Sequence, residues 1–209
     1  MGAYGQKIRN LLLISAVFLL LGSLIGLFWL NYKLRQMKEQ SQSPSLPVLV
    51  QLPTFSLTER SRQLIGLDDL KGSVWIADFI FTRCPGPCPL MSARMSKLQE
   101  TFKDEASLKL VSITVDPEFD TCQVLSEYAD VFQAQKGRWF FLTGEKTRIH
   151  ELAQAGFLVG GVQDVSLHST RFILVDQGGR VRGYYDSQDD PDIRKLIHDA
   201  KILLREVKS

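Results

Sequence analysis

The sequence predicts an α/β domain, with helices packed around a central mixed sheet, preceded by one membrane-spanning helix. Three observations carry this. Apolar, β-branched runs alternate with segments of helical period. A Gln-Gly-Gly turn joins two of the strand-like runs near the end of the chain. Leu11–Leu30 (LLLISAVFLLLGSLIGLFWL) is an uncharged run long enough to span roughly 30 Å as a helix.

Taken in order, residues 1–10 are a short tail and 11–30 the predicted transmembrane anchor. Trp29 and Tyr32 sit at one end of the span, where amphipathic rings favour the interface. A cleaved signal peptide would have a shorter apolar core and a small-residue cleavage site, and FWLNYK offers none. Residues 31–47 (NYKLRQMKEQSQSPSLP) are rich in Gln, Ser and Pro, without an apolar period, and read as a linker. The folded domain is then 48–209. Within it, Ser73–Phe81 (SVWIADFIF), Leu108–Val115 and Thr170–Val175 read as buried strands. Pro89–Phe102, Asp120–Ala134, Glu145–Ala155 and Asp190–Glu206 read as helices, with Asp120 capping the second and Gln123 completing a capping box. Gln177-Gly178-Gly179 turns the chain into a strand at Val181–Tyr185. This order matches a thioredoxin-like sandwich.

Charge excludes one class of function. The 209 residues carry 25 basic and 23 acidic side chains, a net charge of +2. Five of the basic residues lie in the first 40 positions beside one acid, which leaves the remainder slightly acidic. A nucleic-acid-binding domain would show a basic face. Three cysteines are too few for a disulfide-stapled scaffold, so each is judged separately.

Two of them stand together. Cys84-Pro85-Gly86-Pro87-Cys88 follows the buried strand Ser73–Phe81 and opens the next helix. Reactive groups in α/β sheets sit at the carboxyl ends of strands, and helix N-termini stabilise thiolates, so both thiols are expected to have lowered pKa values. The prolines stiffen the loop, and Gly86 is expected to let it turn tightly. The motif lacks both the spacing and the histidine of a c-type haem site. Three intervening residues put the sulfurs about one helical turn apart, compatible with the roughly 4.4–6.8 Å between Cα atoms of a disulfide. The same spacing suits two thiolates on one soft ion, for which Cu(I) is the natural candidate.

The segments SVWIADFIFTRCPGPCPLMS, SITVDPEFDT, RWFFLTG and LHSTRFILVDQGGRVRGYY, in that order after an N-terminal anchor, resemble the Sco/SenC family. The likeness covers roughly residues 50–205. It implies a membrane-anchored, thioredoxin-fold protein that delivers copper, as Cu(I) or Cu(II), to the copper A centre of cytochrome c oxidase. The implied ligands are Cys84, Cys88 and His168. The implied partners are the copper-bearing subunit of that oxidase, other copper carriers and thiol reductants. His168 also precedes a predicted strand, where thioredoxins place a cis-proline that this sequence lacks between Gly161 and Val175. A histidine there could close an S₂N site or simply bond solvent or backbone.

Other residues compete for roles. Asp78, in the buried strand six residues before Cys84, either tunes the cysteines, takes their protons or is structural. Cys122 lies near a predicted helix start, in DTC, and reads as an incidental thiol rather than a reactive one. His150 and His198 fall within predicted helices as surface residues. The family often carries Asp where this chain has Gly86, and Asp where it has Leu167. Both departures remove negative charge near the implied metal. They favour Cu(I) over Cu(II) and raise the standing of a thiol–disulfide oxidoreductase acting through Cys84 and Cys88 alone. A redox sensor docking a partner near Phe79–Pro89 is the third reading. Lys7 and Arg9 precede the span while Lys33, Arg35 and Lys38 follow it, so charge does not orient the anchor. The resemblance does: copper loading of an oxidase implies an exocytoplasmic domain, facing the periplasm in a bacterium.

Overall fold

The computed structural model describes residues 21–34, 46–159 and 170–208. The chain divides into two compact units, Met1–Pro44 and Ser45–Ser209. In the first, residues 21–34 form a helix, α1. Within it the Asn31 side chain donates to the Leu27 carbonyl at 3.0 Å, and the Lys33 ammonium lies 5.5 Å from the Trp29 ring centre. Among the described residues no helix is long and apolar enough to cross a membrane. Much of the predicted span 11–30, and most of the linker, lie outside the described residues.

The second unit is built on one eight-stranded mixed sheet. Its strands are β1 (Val50–Gln51), β2 (Ser56–Glu59), β3 (Leu64–Gly66), β4 (Val74–Ile80), β5 (Leu108–Thr114), β6 (Trp139–Thr143), β7 (Arg171–Val175) and β8 (Arg180–Asp186), in the order β1-β8-β7-β4-β5-β6-β2-β3. β4, β5 and β6 run parallel, and every other pairing is antiparallel. Every residue of β4 is buried, as expected for a central strand covered on both faces.

Side-chain alternation along these strands sorts the core into two layers. On one face Val74, Ile76, Ile80, Leu108, Leu110 and Phe172 pack against α3 (Pro87–Thr101), α4 (Cys122–Val131) and α6 (Asp190–Lys208). On the other, Trp75, Ala77, Phe79, Val111 and Ile173 pack against α2 (Leu67–Leu70) and α5 (Lys146–Glu151), which continues as a π-helical turn over Leu152–Gly156. In the β7–β8 turn Gly179 has φ +75°, and a Cβ there would stand 2.9 Å from a Leu67 methyl, so glycine is required twice over.

β4, β5, β7 and β8, and the helices α3, α4, α5 with its π-helical turn, and α6, lie where the sequence predicts them, with shifts of a few residues at their ends, while β6 is not among the predicted strands. One cap differs. Thr121, not Asp120, caps α4, its hydroxyl accepting from the Val124 N–H at 3.3 Å. Asp120 is fully buried and spent elsewhere.

Candidate functional site

β4 delivers the chain to its carboxyl end, where a turn over Phe81–Cys84 closes with the Cys84 N–H donating to the Phe81 carbonyl at 3.2 Å. Gly86 then caps α3, and the helix begins at Pro87, two residues earlier than the sequence predicts. Pro at the first helical position is tolerated because that N–H has no intrahelical partner. Cys88 is therefore inside the first helical turn. Gly86 has negative φ, and a Cβ there would meet only the Cys84 sulfur, at 4.0 Å, so the loop does not depend on glycine's conformational freedom.

Both thiols are free and buried, Cys84 at 7% and Cys88 at 3% exposure. They belong to the same apolar cluster as Ile80, Met91 and Met95. Burial pushes the Cys88 thiol up to about 12; a backbone hydrogen bond from Phe81 opposes this, while a hydrogen bond with the Cys84 thiol and the charges of Cys84 and Asp78 add to it. The expected lowering at Cys88 is thus corrected. Dehydration outweighs the one lowering contact, the Phe81 backbone. Cys88 therefore keeps its proton at neutral pH.

Beneath the pair lies Asp78, fully buried on the α3 side of β4 and aligned with Ser112 of β5. Neither carboxylate oxygen meets a hydrogen-bond partner among the described residues. Burial raises its pKa to about 7, and the nearby Ser112 hydroxyl lowers it only in part. That hydroxyl accepts from Trp139 Nε1 at 3.0 Å. A second polar pair completes the floor: the Ser92 and Tyr128 hydroxyls lie 2.9 Å apart. Burial raises the Tyr128 pKa, and the charges of Asp78, Cys88 and Cys84 reach it. Neither Ser92 nor Tyr128 carries a sequence signal. Each reads as an ordinary position on an amphipathic helix until the fold sets α3 against α4.

The remaining predicted residues scatter. His168 lies outside the described residues. Among those described, no group of three or more His, Cys, Asp or Glu side chains could hold a metal ion, so the pair offers two donors to which a third would have to be added. Cys122 is half-buried, with its thiol 3.6 Å from the Glu59 carbonyl. His150 is half-buried in α5 and His198 exposed in α6. Arg83 pairs with Asp116 at 2.7 Å and stacks 4.6 Å from the centre of the exposed Phe119 ring.

Comparison with known proteins is consistent with this geometry. The SCO1/SenC family model matches residues 49–204. The SCO1 protein homolog of Bacillus subtilis is 32% identical over 161 residues, which are 74% of this chain and 83% of that protein. The structure of BsSco, described as a member of the Sco family of cytochrome c oxidase assembly proteins with a disulfide switch, superposes with TM-score 0.67 at 32% identity, over 76% of this chain and 95% of its own. Copper-bound ScoI of Bradyrhizobium japonicum, at 22% identity, shares the fold with TM-score 0.61, over 74% of this chain and 99% of its own. The thioredoxin-like α/β fold is thereby shown, and the chain belongs to the SCO1/SenC family.

Proposed function

We propose that this protein carries copper to the copper A centre of cytochrome c oxidase, or prepares the cysteines of that centre, with Cys84, Cys88 and His168 as ligands. The observation that carries this reading is the pair of free, neighbouring thiols set in a sulfur-rich apolar cluster at the end of β4. Thiolates select soft ions, and a dry pocket disfavours exchange with water. The copper-bound relative of the same fold supports it. Copper here is cargo, and the chain's own part is to present two sulfurs and give up their protons. Asp78, whose charge reaches Cys88, is suited to accept one. The helix 11–30 would tether the domain to a membrane on its exocytoplasmic side, where the copper-bearing oxidase subunit and thiol reductants are within reach.

The thiol–disulfide reading keeps one specific support, the electrostatic coupling of two neighbouring free thiols, beside a relative named for a disulfide switch. One experiment separates them. The full chain in detergent, reduced without oxygen, is titrated with Cu(I) against a competing chelator, in parallel with Cys84→Ser, Cys88→Ser and His168→Ala. One equivalent held by the parent, and lost or weakened in all three, is expected. A reduced parent that holds no copper would sink the carrier and leave disulfide exchange.

A further inference from the structure

The turn that carries Cys84 is held by a group the proposed chemistry does not use. Asp120 is fully buried, and its carboxylate accepts four contacts from two strand ends. The Thr82 N–H approaches its two oxygens at 3.1 and 3.4 Å, and the Thr82 hydroxyl donates at 2.5 Å. The Thr114 hydroxyl donates to it at 2.5 Å, while itself accepting from the Asp116 N–H at 3.0 Å. Thr82 stands two residues before Cys84 on the loop leaving β4, and Thr114 ends β5. The donors therefore run in one direction, from Asp116 through Thr114 and from Thr82, into a single buried anion. Hydrogen bonds to a charged acceptor are the strong ones, and removing such an acceptor leaves its donors unpaired. Arg83, next to Cys84, is tied to the same 114–120 segment through Asp116, but on the exposed side, where an ion pair contributes little.

We propose that Asp120 is the positioning residue for the Cys84 thiol: by clamping Thr82 it fixes the turn that holds Cys84 beside Cys88. The claim rests on Cys84 and Cys88 being the working pair, whether for copper or for disulfide exchange. With the clamp intact, the sulfurs have a high effective concentration toward one another. Without it the turn spends less of its time in the paired geometry, and every property that needs both sulfurs weakens together.

The test uses the full chain in detergent and the variants Thr82→Val, Thr82→Ser, Asp120→Asn and Thr121→Ala. Equilibration with glutathione forms the Cys84–Cys88 bond. Both thiols lose their protons, two electrons pass to glutathione disulfide, and two glutathione molecules leave. The equilibrium constant is expected to fall about tenfold in Thr82→Val and Asp120→Asn, and to stay within about twofold in Thr82→Ser, which keeps the hydroxyl. Thr121→Ala weakens α4 without touching the clamp, and is expected to leave the constant unchanged. Cu(I) affinity should fall in step with it. A parental constant in Thr82→Val overturns the proposal, as does an equal fall in Thr121→Ala. If Asp120→Asn does not fold, the two Thr82 variants decide. If the parent binds no Cu(I) yet Thr82→Val shifts the disulfide constant, the copper carrier fails and the positioning role stands.

Discussion

The two faces of β4 are equally buried and chemically unlike. Trp75, Ala77 and Phe79 face an apolar layer in which Phe157 meets both rings edge-on, at 5.9 and 5.3 Å. Ile76, Asp78 and Ile80 face the other way, and there the same depth of burial contains a carboxylate, with Ser112, Ser92 and Thr114 also buried on nearby elements. One strand thus has a face that contributes stability and a face that gives some of it up. Unpaired buried polar groups cost free energy; Trp75 leaves one indole N–H without a partner on the apolar face, whereas on the cysteine side it is a whole carboxylate, Asp78, that goes unpaired.

Three substitutions would break or sharpen that contrast. The largest effect is expected on the apolar face. Phe157→Ala should destabilise the domain by about 3–5 kcal/mol in denaturant unfolding, with the Cys84–Cys88 disulfide constant unaltered. A changed constant would mean the faces are coupled. On the polar face, Asp78→Asn addresses pH. The folded-state value of about 7 lies above the ordinary 3.8, so the folded chain holds this proton more tightly than the unfolded one. Its stability is greatest below the lower value and declines as pH rises through the higher. The span corresponds to about 4 kcal/mol lost between pH 4 and 7 in the reduced, metal-free protein. Asp78→Asn should flatten that decline, and a profile identical to the parent's would show Asp78 already charged in the fold. The smallest effect belongs to Thr121→Ala at the α4 cap, about 1 kcal/mol, read as a shifted unfolding midpoint at unchanged slope.

The contrast also explains what the sequence could reveal. β4, β5 and β7 are legible because a strand buried on both faces must be apolar throughout. The peripheral strands are not: β2 is Ser-Leu-Thr-Glu, with one apolar side chain, and β1 has two residues. Their identity comes from the pairing partner, as when Thr58 finds Thr143. The cysteine motif is legible through its prolines and its place after a strand. Its thiol chemistry is legible only by half, because the helix terminus shows in the sequence while the depth of Cys88 does not. Asp120 illustrates the same limit. A residue two positions before Cys122 and four before Val124 resembles a helix cap on local grounds. The distant Thr82 and Thr114, brought alongside by parallel pairing of β4 with β5, claim it instead. Tyr128 and Ser92 are likewise products of packing, invisible until two helices meet.

The nearness of the two thiols has one more consequence. A sulfur joined to its neighbour has no thiolate to offer an ion, and a sulfur holding an ion cannot be attacked to form that bond. The two states therefore compete for the same atoms, and their ratio is set by the reducing power of the surroundings as much as by the amount of metal. Under the proposed function the two cysteines would thus act as a gate that needs both conditions met. Metal without electrons leaves it shut, and electrons without metal leave it waiting.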